Sequence, residues 1–261
     1  MPIPLSLSGK VALISGGSRG IGAATVRMFT AAGAKVAFSY RSAKAQAESL
    51  ATECGSPDIC YPNASDLNSP ASAKSLVAET VRHFGRIDIL VANHGVWPVE
   101  DVAIEQMPDE QWRSTLSVNL DGVFGLVKYT VARMKSQPRT NSSRGHIVLI
   151  SSTSGQRGEA FHTDYSATKG ALISMTKSLS TELAPEGIYV NCVAPGWVDT
   201  DMSAEALADP RTGDKIRGTI PLGRVGKPEE IAAPVLFLCT EHAGFITGEI
   251  FNVNGGAVLA G

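Results

Sequence analysis

The feature that most constrains this chain is a junction near its start. An apolar run at residues 10–15 (KVALIS) ends in Ser15-Gly16-Gly17-Ser18-Arg19-Gly20-Ile21-Gly22, and a helix-patterned segment follows at once. A short run that is apolar on both faces reads as a strand of a parallel sheet, covered by helices on each side. Residues 21–32 carry Ile21, Val26, Met28 and Phe29 among alanines, and Gly33 closes the pattern; this is a helix with a stop signal. The glycines between have separate uses. Gly16 permits a tight turn, Gly20 lets backbone amides approach a pyrophosphate, and Gly22 lets the helix pack close to the sheet with its N-terminal dipole facing the phosphates. The spacing is GxxxGxG, not the usual GxGxxG. A glycine-rich turn without a ligand therefore stays open as the alternative.

The same alternation continues along the chain. Strands are expected at 35–40, 59–63, 87–92, 146–151, 189–193 and 250–253, and helices at 43–53, 70–84, 108–136, 165–184 and 228–239. Strands alternating with helices imply right-handed crossovers and a doubly wound, Rossmann-like α/β sheet with helices on both faces. The 261 residues suit one large domain or two small ones. No internal repeat and no low-complexity linker divides them, so a single domain over 1–261 is expected. The least regular stretch, 199–224, holds Pro210, Gly213, Gly218 and Pro221 and is long for a connector, which suggests a substrate lid.

Composition excludes several classes of partner. Hydrophobic residues make up 43% and charged residues 18%, ordinary globular values, and the net charge of −2 gives no basis for a nucleic-acid or anionic-membrane partner. Cys54, Cys60, Cys192 and Cys239 form no CxxC pair and no Cys/His cluster with zinc-ligand spacing, so reduced, mostly buried thiols and no metal are expected. Residues 1–10 lack the pattern of a signal peptide, and no run approaches the roughly 20 apolar residues of a membrane span. A cytoplasmic, soluble protein is the expectation.

About 20 residues past the glycines, where a carboxylate would bind the ribose hydroxyls of NAD, the chain reads Phe38-Ser39-Tyr40-Arg41-Ser42. Arg41, with Arg19 from the glycine loop, offers forked donors to a 2′-phosphate. NADP(H) is therefore preferred over NAD(H), with two solvated surface arginines as the alternative.

Tyr165 and Lys169 stand four apart at a helix start and share a face. A free phenol titrates near ~10; a neighbouring ammonium is expected to lower that and make Tyr165 usable as an acid or base. A YxxxK pair by itself is ordinary surface chemistry. Two further residues change its meaning: Ser152 at the end of the strand at 146–151, and Asn119 in the middle of the helix at 108–136. Asn is unfavourable there unless it supports a water or a distorted turn. Strand ends and glycine loop together place these groups at the carboxyl edge of the sheet, where ligands bind.

With these residues quoted, the sequence resembles the short-chain dehydrogenase/reductase family over essentially its whole length. The matching segments run in order: SGGSRGIG, Asp66, Ala92-Asn93-His94-Gly95, Asn119, Ser152, YSATK from Tyr165 to Lys169, PGWVDT from Pro195 to Thr200, and ITGE with the later NGG. Within the family the pattern is closest to 3-oxoacyl-(acyl-carrier-protein) reductases. The resemblance implies a hydride transfer between NADP(H) and a ketone or secondary alcohol, on a small-molecule or carrier-bound carbonyl substrate. Tyr165 would exchange the proton, Lys169 would lower its pKa and hold the nicotinamide ribose, Ser152 would orient the carbonyl, and Asn119 would anchor a water in a relay through Lys169. Asp66 would contact adenine, Asn93 would support the central strand, and Val198 with Thr200 would hold the carboxamide. Ser18, Ile21, Ser42, Leu67, Gly95, Pro195 and Gly196 fall along the same cofactor path. A homotetramer built from paired long helices is also implied.

One departure is visible. The family's Asn-Asn-Ala-Gly is here Ala92-Asn93-His94-Gly95, which removes one side-chain amide and adds an imidazole beside the cofactor path. His94 is read as a packed or substrate-side imidazole. Trp97, Phe161, His162 and Trp197 flank the motifs as pocket candidates, whereas Trp112 reads as core or interface and Arg157 as surface charge. Two other functions stay in view: an NAD(H)-dependent sugar or secondary-alcohol dehydrogenase, and a nucleotide-binding regulator or scaffold without catalysis.

Overall fold

The computed structural model describes residues 5–139 and 143–259. Seven apolar runs form one sheet: β1 Val11–Ile14, β2 Lys35–Tyr40, β3 Cys60–Ala64, β4 Ile89–Ala92, β5 Gly145–Ile150, β6 Ile188–Pro195 and β7 Ile250–Val253. All pairs are parallel, in the order β3-β2-β1-β4-β5-β6-β7. Because successive side chains point to opposite faces, each strand feeds two cores. Leu13, Leu90, Ile147 and Val190 stand in one row across four strands. They pack with Leu76 of α3 (Pro70–Phe84), Leu126 of α5 (Gly122–Lys135) and Leu172 of α7 (Thr163–Leu183). One residue along, Ile14, Val91 and Val148 face the other way, against Val26 and Phe29 of α1 (Gly20–Ala31), Leu50 of α2 (Lys44–Cys54) and Val235 of α10 (Pro228–Leu238). Burying each such side chain stabilises the fold by roughly 1.5–3 kcal/mol.

The helix ends follow local chemistry. Helix α3 starts with Ser69 accepting from the Ser72 amide at 3.3 Å, has Pro70 in its first turn, and stops at Gly85, whose φ of 80° suits glycine. Helix α1 is different: its N-cap, Arg19, makes no side-chain capping bond. The amides at this end remain available to an anion.

Four departures from the expected elements matter for the site. The single helix expected at 108–136 is divided into α4 (Asp109–Leu116) and α5 by a π-turn at Ser117–Asp121, which contains Asn119. A short helix, α6 (Thr153–Arg157), follows Ser152, whose hydroxyl caps it by accepting from the Ser154 amide. The 199–224 stretch is not irregular: it carries α8 (Ala204–Ala208) and α9 (Pro210–Gly218), the latter capped by Asp209. A turn at Ile104–Gln106 was not anticipated either.

Candidate active site

The chain leaves β1 to one side and reaches β4 on the other, so the loops after these strands diverge and open a crevice at the carboxyl edge. The cleft there has a cavity volume of about 320 Å³. It runs from Tyr40, Arg41 and Ser42, past the glycine loop, to Ser152, Tyr165 and Lys169. Ser18, Ile21, Asp66, Leu67 and Asn93 to Trp97 line it, as do Pro195 to Val198 and Thr200.

The glycine loop is built for close approach. Gly16 has φ 66° and Gly20 φ 54°, and a Cβ at Gly22 would sit 2.0 Å from the Gly16 carbonyl oxygen. Gly22 therefore packs helix on loop and does not itself line the cleft. Asn93 fastens this loop to β4: its Nδ2 donates to the carbonyls of Ser15 at 3.1 Å and Gly16 at 3.0 Å. A narrow glycine cradle, an uncapped helix N-terminus and a cationic far end fit a dinucleotide with its pyrophosphate at α1. At the cationic end of the cleft Arg41 has no ion pair among the described residues, whereas Arg19 reaches Asp201 at 3.4 Å, both side chains exposed.

At the other end, Lys169 is 4% exposed and its Nζ donates to the Ile150 carbonyl at 2.8 Å. Nζ lies 5.6 Å from the centre of the Tyr165 ring. Burial lowers the Lys169 ammonium to about 8. Burial raises the Tyr165 phenol to about 12, opposed by the hydrogen bond from Ser152. The lowering of the phenol expected from Lys169 is not seen: desolvation is the main cause of the shift, and the ammonium donates to the Ile150 carbonyl.

Asn119 is fully buried and does not line the cleft. Its Oδ1 accepts from the Val96 amide at 2.8 Å, and its Nδ2 donates to the Val96 carbonyl at 2.9 Å and to Thr168 at 3.2 Å. The side chain thus ties the turn to the 93–96 loop and to α7. The distorted turn, one of the two sequence readings for a mid-helix Asn, is present.

The aromatic candidates divide. Trp97 and Trp197 line the cleft and meet edge to face, ring centres 5.8 Å apart. Phe161 does not: it is 51% exposed and points away, with φ 66°, the one non-glycine in the left-handed region among the described residues. That turn places His162 behind Trp97, buried and stacked on it at 4.9 Å, so His162 supports the wall without lining it. A side-chain bias toward the pocket at 161 and 162 was wrong because a strained backbone, invisible in composition, turns the pair over. The sequence reading quoted Ser15 and Thr168 inside motifs but gave them no role; their hydroxyls tie the site together.

A family model described as enoyl-(acyl carrier protein) reductase matches residues 16–258. The chain belongs to the short-chain dehydrogenase/reductase family. It is 38% identical to a 3-oxoacyl-(acyl-carrier-protein) reductase of Thermotoga maritima, covering 98% of this chain and 100% of that one. It is also 38% identical to an acetoacetyl-CoA reductase of Rhizobium meliloti, over 96% of this chain and 99% of the relative. Among solved structures it is similar to a 3-ketoacyl-(acyl-carrier-protein) reductase from Brucella melitensis complexed with NADH, with a TM-score of 0.88, 33% identity, and 97% and 100% coverage. As a member of this family the chain is an oxidoreductase that uses a nicotinamide dinucleotide to interconvert a carbonyl and an alcohol. No helix among the described residues is long and apolar enough to cross a membrane.

Proposed function

We propose that the protein reduces a 3-oxoacyl thioester, free or carrier-bound, to the 3-hydroxyacyl product, and does so with NADPH in preference to NADH. The observation that carries this reading is the convergence of Ser152, Tyr165 and Lys169 at one end of a cleft whose other end presents Arg41. The relatives named for ketoacyl and acetoacetyl thioesters supply the substrate class.

The glycine loop and the N-terminus of α1 would hold the pyrophosphate, Asp66 and Leu67 the adenosine side, and Lys169 the nicotinamide ribose. Val198 and Thr200 would meet the carboxamide. When bound, the reduced dinucleotide supplies the hydride. The chain supplies position and protons. Ser152 donates a hydrogen bond to the substrate carbonyl oxygen and fixes its orientation. Tyr165, held at about 12 by burial, is a protonated phenol at neutral pH. It gives that proton to the alkoxide as it develops, which suits the reducing direction. Lys169, at about 8, is mostly cationic at neutral pH and offsets charge at the phenolate left behind. Helices α8 and α9 would close over the substrate as a lid.

The test is a panel of carbonyls and alcohols with both dinucleotides. We expect the highest kcat/KM for a 3-oxoacyl thioester with NADPH. Preferred turnover of a sugar or simple secondary alcohol with NAD would contradict the substrate and cofactor assignments. Tight dinucleotide binding with no turnover would indicate a regulator or scaffold.

A further inference from the structure

His94 occupies the position where the family places a small residue, and its surroundings determine which of its nitrogens carries the proton. The Ser15 hydroxyl is the reference point. It is fully buried, and its oxygen accepts from the amides of Asn93 at 3.0 Å and His94 at 3.2 Å. A hydroxyl has two acceptor sites and one proton. Both acceptor sites are used, so the proton must leave toward one of two acceptors. The Val91 carbonyl lies at 3.5 Å, beyond useful O–H···O range, and His94 Nδ1 lies at 2.7 Å. Nδ1 is therefore the acceptor, and the single proton of the neutral ring sits on Nε2.

That Nε2–H is buried with no partner inside hydrogen-bond range. The backbone carbonyls of Leu67 and Val118 lie near enough to the ring to favour a proton on it. A Cβ on Gly122 would lie 3.0 Å from Nε2 and 2.3 Å from the Leu67 oxygen, so donor and acceptor face the same small space beside the π-turn. Leu67 adjoins Asp66 on the adenosine side, and Val118 adjoins Asn119. Between them the 93–96 loop crosses the site: a Cβ at Gly95 would meet Asn119 Oδ1 at 3.2 Å and Lys169 Nζ at 3.5 Å.

We propose that His94 is a positioning residue, a neutral Nε2–H imidazole anchored by Ser15, whose distal N–H faces the Leu67 carbonyl across the small space beside the π-turn and so sets that turn and the 93–96 loop against Asn119 and Lys169. Its two nitrogens have separable roles. Nδ1 fixes the ring to the end of β1, and Nε2 faces the gap between the Leu67 segment and the π-turn, which bracket the cleft.

Asparagine places an amide oxygen near Nδ1 and glutamine places an amide nitrogen near Nε2, so the two variants divide the roles. The kinetic arm rests on the reductase reading above; the spectroscopic arm does not, and failure of each is distinguishable. In nitrogen-resolved NMR of the intact protein with labelled histidine, His94 should show protonated Nε2 and bare Nδ1 at neutral pH. Protonated Nδ1 would overturn the proposal whatever the enzyme does. In kinetics, His94→Ala should lower kcat by about tenfold, with the NADPH Kd changed by less than about threefold, the scale of one or two lost hydrogen bonds. His94→Gln should recover most of kcat, and His94→Asn should not. Equal kcat in the Ala, Asn and Gln variants, or loss that follows melting temperature alone, would show that His94 only fills space.

Discussion

At the end of β2 the side chains facing the expected ribose are the uncharged Tyr40 and the cationic Arg41, which no carboxylate engages among the described residues. Arg19 stands across the same cleft, but its pairing with Asp201 is between exposed groups at 3.4 Å and costs little to exchange for a phosphate. A charge-assisted bond contributes about 1.5–3 kcal/mol, so one good contact gives about tenfold or more in favour of NADPH. Arg41→Asp should reverse the preference, because a carboxylate repels the phosphate and accepts from ribose hydroxyls. Comparison of kcat/KM for both dinucleotides at one ionic strength checks this; equal use by wild type, or no shift in the variant, would contradict it. Residues of this kind were legible in the sequence because their meaning is local. Tyr165, Lys169 and Ser152 are recognisable by spacing on one helix and one strand end. The burial that sets Tyr165 at about 12 is not, since it depends on what packs over the ring.

At the scale of elements, period and punctuation located every strand and the principal helices to within a few residues, because each strand is apolar on both faces and each long helix has one buried stripe. The π-turn was legible only as one of two readings of a mid-helix Asn. Its cause is a set of long-range bonds from Asn119 to Val96 and Thr168, and those partners are distant in sequence. Gly122 makes the turn possible. Its amide bonds back to the Ser117 carbonyl, and any Cβ would strike the Leu67 carbonyl oxygen at 2.3 Å. Since backbone must move to admit a methyl group, Gly122→Ala should destabilise by roughly 1–3 kcal/mol and lower kcat more than it weakens dinucleotide binding. Denaturant unfolding with paired kinetics measures both. A variant as stable and active as wild type would show that the turn tolerates a side chain. The helices at 204–208 and 210–218 were unreadable for another reason: Pro210, Gly213 and Gly218 punctuate the stretch, and Pro210 serves there as a helix start.

Over the whole molecule, the alternating strand faces hold two cores apart and leave one crevice where the winding reverses, so sheet topology alone brings the glycine loop and the Tyr165 helix to a common edge. The outer sides of the long helices are less polar than a solvent face requires. Phe124 on α5 is 48% exposed, and Ala167 and Ala171 line the outside of α7. We propose that these helices pair in a homotetramer. Light scattering at micromolar concentration should give four times the chain mass, and a monomer would contradict it. The central claim, carbonyl reduction with Tyr165 as the proton donor, is tested most directly by single-turnover reduction of a 3-oxoacyl thioester by wild type and Tyr165→Phe, with NADPH binding measured on the same samples. Removing the hydroxyl should cut the rate by about 10²–10⁴-fold and leave the NADPH Kd close to wild type. A variant that keeps more than about a tenth of the wild-type rate, less than 1.4 kcal/mol of lost transition-state stabilisation, would contradict that account.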